Sequence, residues 1–140
     1  SHGWFFVTIC TTDRKMTLGH VVGTDAHIGP YTELSEYGQI VEQYLRRIPG
    51  MDQFVIMPNH IHMIISIDPE NGSMWASTPT KSLSSLIRSF KTLTSKAANT
   101  SLWQRSYYDH IIRNEADCLR VRQYIDQNPA RWAEDEYYLY

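Results

Sequence analysis

The run Val55-Ile-Met-Pro-Asn-His-Ile-His-Met-Ile-Ile65 limits what this chain can fold into more than any other segment. Gln53 to Met57 and Ile61 to Ile67 are both apolar and β-prone, and only Pro58-Asn59, a turn signal, separates them. They read as two adjacent strands. Side chains alternate along a strand, so His60 and His62 share one face and Ile61 takes the other. Two neighbouring imidazoles in apolar surroundings are costly unless hydrogen-bonded or ligated. The pair is therefore either two satisfied strand histidines or part of a divalent-metal site, for which neutral imidazole is a common ligand.

The flanking segments supply the elements that would cover this hairpin. Trp4 to Thr11 is apolar, β-branched and aromatic, and predicts a buried strand; a turn at Asp13-Arg14-Lys15 leads to a short strand near Leu18 to Val22. After a loop over 23–30, Leu34, Tyr37, Val41, Tyr44, Leu45 and Ile48 recur at spacings of three and four from about Thr32, which predicts an amphipathic helix ended by Pro49-Gly50. Residues 68–79 read as a loop. Leu83, Leu86, Ile87, Phe90, Leu93 and Ala97 mark a second helix, Trp103 to Ile112 a strand, and Glu115 to Gln127 a last helix ended by Asn128-Pro129. The order β-β-α-β-β-α-β-α, without repeats or internal linkers, predicts one domain over 1–140: a two-layer α+β sandwich of antiparallel sheet and helices on one face, with a short acidic tail over 130–140.

Composition narrows the class. An apolar fraction of 42 % with 20 % charged residues excludes wholesale disorder and collagen-like or coiled-coil chains. No apolar run approaches the ~20 residues that span a bilayer, and Cys10 and Cys118 are too few for a disulfide framework, so a cytoplasmic protein with no membrane attachment is expected. No glycine-rich phosphate loop is present, which argues against a nucleotide cofactor. The net charge of −2 argues weakly against nucleic acid, but its distribution is uneven. Residues 81–113 carry Lys81, Arg88, Lys91, Lys96, Arg105 and Arg113 against Asp109, a balance of +5, whereas residues 21–80 stand at −5. On a helix, Lys81, Ser84, Arg88, Lys91 and Ser95 fall in one stripe of about 80°. Lys81, Arg88 and Lys91, with Arg105, are the candidate surface for a DNA backbone, the alternative being a solvated helix face. Arg14 and Lys15 form a second candidate, and Trp75 or Trp103 a candidate base-stacking side chain, although Trp103 also suits a core.

Two histidines do not complete a metal site. With Cys118, Val121 and Ile125 taken as the buried stripe of the last helix, Tyr124 and Asn128 lie together on its flank as i and i+4 neighbours. A phenol and an amide oxygen there would suit a nucleophile and a hard ligand; a core-edge tyrosine and a helix-ending asparagine would look the same. Tyr107 and Tyr108 adjoin on a strand and face opposite sides. Tyr137, Tyr138 and Tyr140 sit in the acidic tail, and His20, His27 and His110 fall outside the paired motif.

Four motifs occur in order: Pro58-Asn-His-Ile-His62; Lys91 after Ser-Phe; Trp103-Gln-Arg-Ser-Tyr-Tyr-Asp-His-Ile-Ile-Arg-Asn114; and Tyr124-Ile-Asp-Gln-Asn-Pro129. Together, across essentially the whole chain, they resemble the single-tyrosine HUH transposases, in particular the branch associated with repetitive extragenic palindromes. The resemblance implies a ferredoxin-like sheet, Mg²⁺ or Mn²⁺ on His60 and His62, and Tyr124 as nucleophile. The insertion-sequence branch has a glutamine as third ligand four residues after the tyrosine. Here that position is Asn128, as in the palindrome-associated branch, and Gln127 is one residue out of phase.

The implied reaction is cleavage and rejoining of single-stranded DNA beside a hairpin, through a 5′-phosphotyrosine and a free 3′-OH. The palindrome-associated branch implies a monomer, the insertion-sequence branch a dimer that exchanges tyrosine helices. A replication-type HUH nickase uses similar residues, and a hairpin-binding protein retained for a host task would bind without cutting.

Overall fold

Strand β1 (Gly3–Cys10) organises the molecule because both of its edges are hydrogen-bonded. In the computed structural model, which describes residues 3–23, 29–67 and 79–134, β1 runs antiparallel to β5 (His60–Ile67) on one side and to β6 (Tyr108–Ile111) on the other. Strand β4 (Met51–Met57) pairs antiparallel with the outer edge of β5, so the sheet order is β4-β5-β1-β6. Helices α1 (Glu36–Leu45) and α2 (Pro79–Ala98) precede β4 and β6. With the first sheet strand between the third and the last, this is the expected ferredoxin-like α+β arrangement.

Period-two alternation gives the two faces different duties. Phe5, Val7 and Ile9 of β1 and Ile61, Met63, Ile65 and Ile67 of β5 pack with Val41 and Leu45 of α1 and with Leu83, Ile87 and Phe90 of α2. Burying one such aliphatic side chain contributes about 1.5–3 kcal/mol, so this is where the stability resides. The even-numbered neighbours Phe6 and Ile64 face the other way and are covered by Val121 and Ile125 of α3 (Glu115–Gln127). Here the fold departs from helices on one face alone: α1 and α2 share a face, while α3 lies across the opposite one. The reason is local. Phe6 and Ile64 need apolar cover that α1 and α2 cannot reach, and α3 offers a matching narrow stripe.

Two further differences have sequence causes. Leu34, counted toward the first helix, belongs to β3 (Tyr31–Leu34), which forms a separate two-stranded ribbon with β2 (Gly19–Val22). The helix starts only after Ser35, whose Oγ accepts from Gly38 N at 3.1 Å and donates to Thr17 O at 2.6 Å. The strand expected over Trp103 to Ile112 shrinks to β6. Trp103 makes one isolated bridge to Thr11, and residues 104–107 between Trp103 and β6 are irregular. Gly38 of α1 sits against β2's lead-in: a Cβ there would lie 2.1 Å from Leu18 O, so only glycine permits this approach. No helix among the described residues is long and apolar enough to cross a membrane. The loop expected over 68–79, apart from Pro79, and most of the acidic tail lie outside the described residues.

Candidate active site

The strand register places the two histidines. His60 pairs with Cys10 and His62 with Thr8 across β1, and their side chains fall on the α3 face with Phe6 and Ile64. Both are buried, at 0 % and 1 % exposure. Their ring centroids are 4.6 Å apart, so the imidazoles converge.

In each ring Nδ1 is engaged. Asn59 Nδ2 donates to Arg14 O at 3.3 Å, which turns Asn59 Oδ1 toward His60; Nδ1–H of His60 donates to that oxygen at 2.8 Å. This bond assigns the proton to Nδ1 and the lone pair to Nε2 of His60. Nδ1 of His62 lies 2.7 Å from Thr8 Oγ1, a hydroxyl able to accept the same kind of bond. Burial holds both rings neutral. His60 is lowered to about 3, first by burial, with the Asn128 amide opposing and the Arg14 charge assisting. His62 is pushed well below the ordinary histidine value by burial and by His60.

Helix α3 brings up the rest. Its N-cap is Asn114, which accepts from Asp117 N at 2.8 Å, and Val121 and Ile125 dock it on the sheet. Tyr124 is 40 % exposed, and its ring lies 5.1 Å from that of His62 and 6.0 Å from that of Phe6. Asn128 is buried beside His60, and its Nδ2 donates to Tyr124 O at 3.2 Å. Oδ1 is buried and makes no well-formed hydrogen bond among the described residues. A buried amide oxygen in that state beside two neutral imidazoles is a fitting donor set for a divalent cation. Among the described residues no three His, Cys, Asp or Glu side chains converge, so such a cation would rest on His60, His62 and Asn128.

The expected DNA-contact residues are placed differently. Helix α2 packs on the face opposite the histidines, with Arg88 exposed. Lys91 Nζ donates to Gln104 O, Arg105 O and Ser106 O at 2.8, 3.1 and 3.0 Å, tying α2 to the irregular segment; burial lowers its pKa. Arg105 is exposed on that segment. The Lys81 side chain, Trp75, His27, Tyr137, Tyr138 and Tyr140 lie outside the described residues. Arg14, in contrast, acts electrostatically on His60. Trp103 is a core residue whose Nε1 donates to Thr94 Oγ1 at 2.9 Å.

Thr8, Phe6 and Trp132 belong to none of the motifs. Phe6 stacks on His62 at 5.2 Å and Trp132 on His60 at 6.0 Å. Asn59 lies within the Pro58-to-His62 motif, which gives its place but not its role in orienting His60. Thr8 and Phe6 are identifiable only once the register is known.

With this geometry in hand, comparison with known proteins is informative. The family model described as "Transposase IS200 like" matches residues 34–128. An uncharacterised protein of Haemophilus influenzae is 32 % identical, covering 99 % of this chain and 87 % of the relative. A second protein of that organism, named as a candidate REP-associated tyrosine transposase, is 26 % identical, covering 92 % of this chain and 71 % of the relative. Among solved structures, a REP-associated tyrosine transposase bound to a REP hairpin superposes with a TM-score of 0.67 at 20 % identity, covering 96 % of this chain and 70 % of that one, and so shares its fold. This chain belongs to the IS200-like transposase family.

Proposed function

We propose that this protein cleaves and rejoins single-stranded DNA beside a hairpin, with Tyr124 as nucleophile and Mg²⁺ or Mn²⁺ held by His60, His62 and Asn128. The observation that supports this reading is the meeting of a partly exposed phenol with two neutral, oriented imidazoles and a buried amide oxygen, contributed by β5 and α3. Hairpin DNA as substrate is supported by the hairpin bound to the structural relative.

Each residue has a separable task. Thr8 and Asn59 orient the rings through Nδ1, so that Nε2 is the ligating atom. Burial keeps both rings unprotonated, since a protonated imidazole cannot ligate. A divalent cation bound there would supply positive charge to the phosphate oxygens and favour ionisation of a phenol whose ordinary pKa is near 10. Tyr124 Oη forms a bond to phosphorus while the bond from phosphorus to the 3′ oxygen breaks, and that oxygen leaves as a 3′-OH after taking up a proton. One phosphodiester replaces another, so attack by a second 3′-OH reverses the step and joins strands without a nucleotide cofactor. The fixed dock of α3 holds the phenol beside His62, which is an orientation effect.

The experiment is an adduct assay on denaturing gels. Labelled hairpin oligonucleotides taken from repeats around the gene are incubated with Mn²⁺ or Mg²⁺ and wild type, Tyr124→Phe or His62→Ala. A metal-dependent adduct that disappears in both variants is expected. An adduct that survives Tyr124→Phe would overturn the nucleophile, and tight hairpin binding with no adduct under either metal would indicate a protein that binds without cutting.

A further inference from the structure

On the α3 face Tyr124 also forms one wall of a second feature, whose other residues the cleavage chemistry does not use. Phe6, Tyr108, His110, Arg120, Val121 and Tyr124 line a pocket of about 320 Å³ between β6 and α3. This is within the size range of small-ligand pockets. Tyr108 pairs with Thr8, which pairs with His62, so the three lie in one row across the sheet. Two strand spacings separate Tyr108 from His62, about 10 Å. Phe6 belongs to both places, stacked on His62 and forming a wall of the pocket.

Tyr108 is 57 % exposed, a large ring that the fold leaves uncovered. Its neighbour Tyr107 points to the other face, packs against the main core and shares a hydrogen bond with Ser84 Oγ at 3.1 Å. Thus one tyrosine of the pair is structural and the other is presented to the pocket. Arg120 supplies positive charge at the rim with a side chain 70 % exposed. The acid nearest to it, Asp117, pairs with Arg120 and with His110 Nε2 at 2.8 Å, so the rim carries an ion pair without net charge, and it is the further N–H donors of the guanidinium that remain for an anion. A flat ring beside a cation, opening next to the nucleophile, matches a base and its phosphate.

We propose that an unpaired nucleotide adjoining the cleaved phosphate binds here, its base stacked on Tyr108 and its phosphate met by Arg120. The proposal rests on the cleavage reading above for its account of which phosphate lies nearby, but stacking and charge contact are measurable without cleavage. Stacking on an aromatic side chain contributes about 1–3 kcal/mol per base and tolerates any base, so this pocket places the strand without reading its sequence.

The test titrates a short fluorescein-labelled oligo(dT) by anisotropy, at several salt concentrations, in a Tyr124→Phe background. Tyr108→Ala is expected to weaken binding about tenfold with an unchanged salt slope, and Tyr108→Phe to bind within about twofold of the parent, because the ring and not the hydroxyl stacks. Arg120→Gln is expected to weaken binding and reduce the salt slope by about one phosphate contact. Thermal melts matching the parent show that the variants are folded. Parent-like binding by Tyr108→Ala, or equal losses in Tyr108→Phe and Tyr108→Ala, would overturn the proposal. The adduct assay with Tyr124 intact separates the two claims. An adduct without Tyr108-dependent binding sinks this pocket alone, and Tyr108-dependent binding without any adduct sinks the nucleophile alone.

Discussion

At the scale of single residues, the site depends on side chains that would never touch DNA. Asn59 fixes the tautomer of His60 and is itself held by Arg14 O. Removing such an orienting partner commonly lowers metal affinity by about 10–100-fold. Asn59→Ala is expected to weaken Mn²⁺ binding, measured by calorimetry, within that range while leaving the fold intact. The buried rings also make stability depend on pH. Both have native-state pKa values below the ordinary 6.5, His60 at about 3. Below pH 6.5 the unfolded chain takes up protons that the native chain refuses, so stability falls with falling pH, by up to about 1.4 kcal/mol per pH unit for each ring. For His60 the loss continues to about pH 3, and above pH 6.5 the contribution is constant. Urea titrations of metal-free protein between pH 7 and 4 should show this slope, and His60→Gln should reduce it by about half, leaving the share of His62. A His60→Gln profile as steep as wild type would show that the imidazole is not the cause.

At the scale of elements, close approach and caps decide where helices lie. Gly38→Ala would raise intrinsic helix propensity by about 1 kcal/mol, yet its Cβ would meet Leu18 O at 2.1 Å. The clash should win, with a net loss of about 1–3 kcal/mol in denaturant unfolding; a stabilised variant would mean that α1 can move away from Leu18 at little cost. Much of this layer was legible in sequence. The strand expected over Ile61 to Ile67, which the structure starts at His60, the two amphipathic helices and the Glu115–Gln127 helix follow from periodicity and stop signals. What escaped had no periodic signature. β3 is four residues whose apolar Leu34 also fits the helix that follows, and only the Ser35 cap separates them. The placement of α3 on the second face depends on the register of β1 against β5, which no local pattern encodes.

For the whole molecule, the sheet separates the main core from the histidine face, and Arg88 and Lys91 of α2 lie on the core side of the sheet. His60, His62, Tyr124 and Asn128 were readable as candidates from spacing and motif, and the fold brings them together. The cationic candidates were read from charge and helical spacing, with Lys91 also in a motif, and none of these reveals what a cation touches. Lys91 shows the difference, since its three carbonyl contacts hold the segment leading to β6. Lys91→Met is therefore expected to lower stability by about 2 kcal/mol in denaturant unfolding while leaving the salt slope of oligonucleotide binding unchanged. A slope reduced by about one, with unchanged stability, would assign Lys91 to phosphate instead.

The β1–β5 pairing has a further consequence, for how such a chain can vary in length. A strand is read two residues at a time, so the sheet has something like a reading frame. One residue inserted where the Pro58-Asn59 turn meets β5, directly ahead of His60, and paired in His60's place would turn both imidazoles under α1 and α2 and turn Ile61, Met63 and Ile65 out against α3, destroying core and site in one event. Two residues inserted there would slide the site along the sheet but keep every side chain on its own face. Loops of this protein can gain or lose single residues; its central strands can change only by twos.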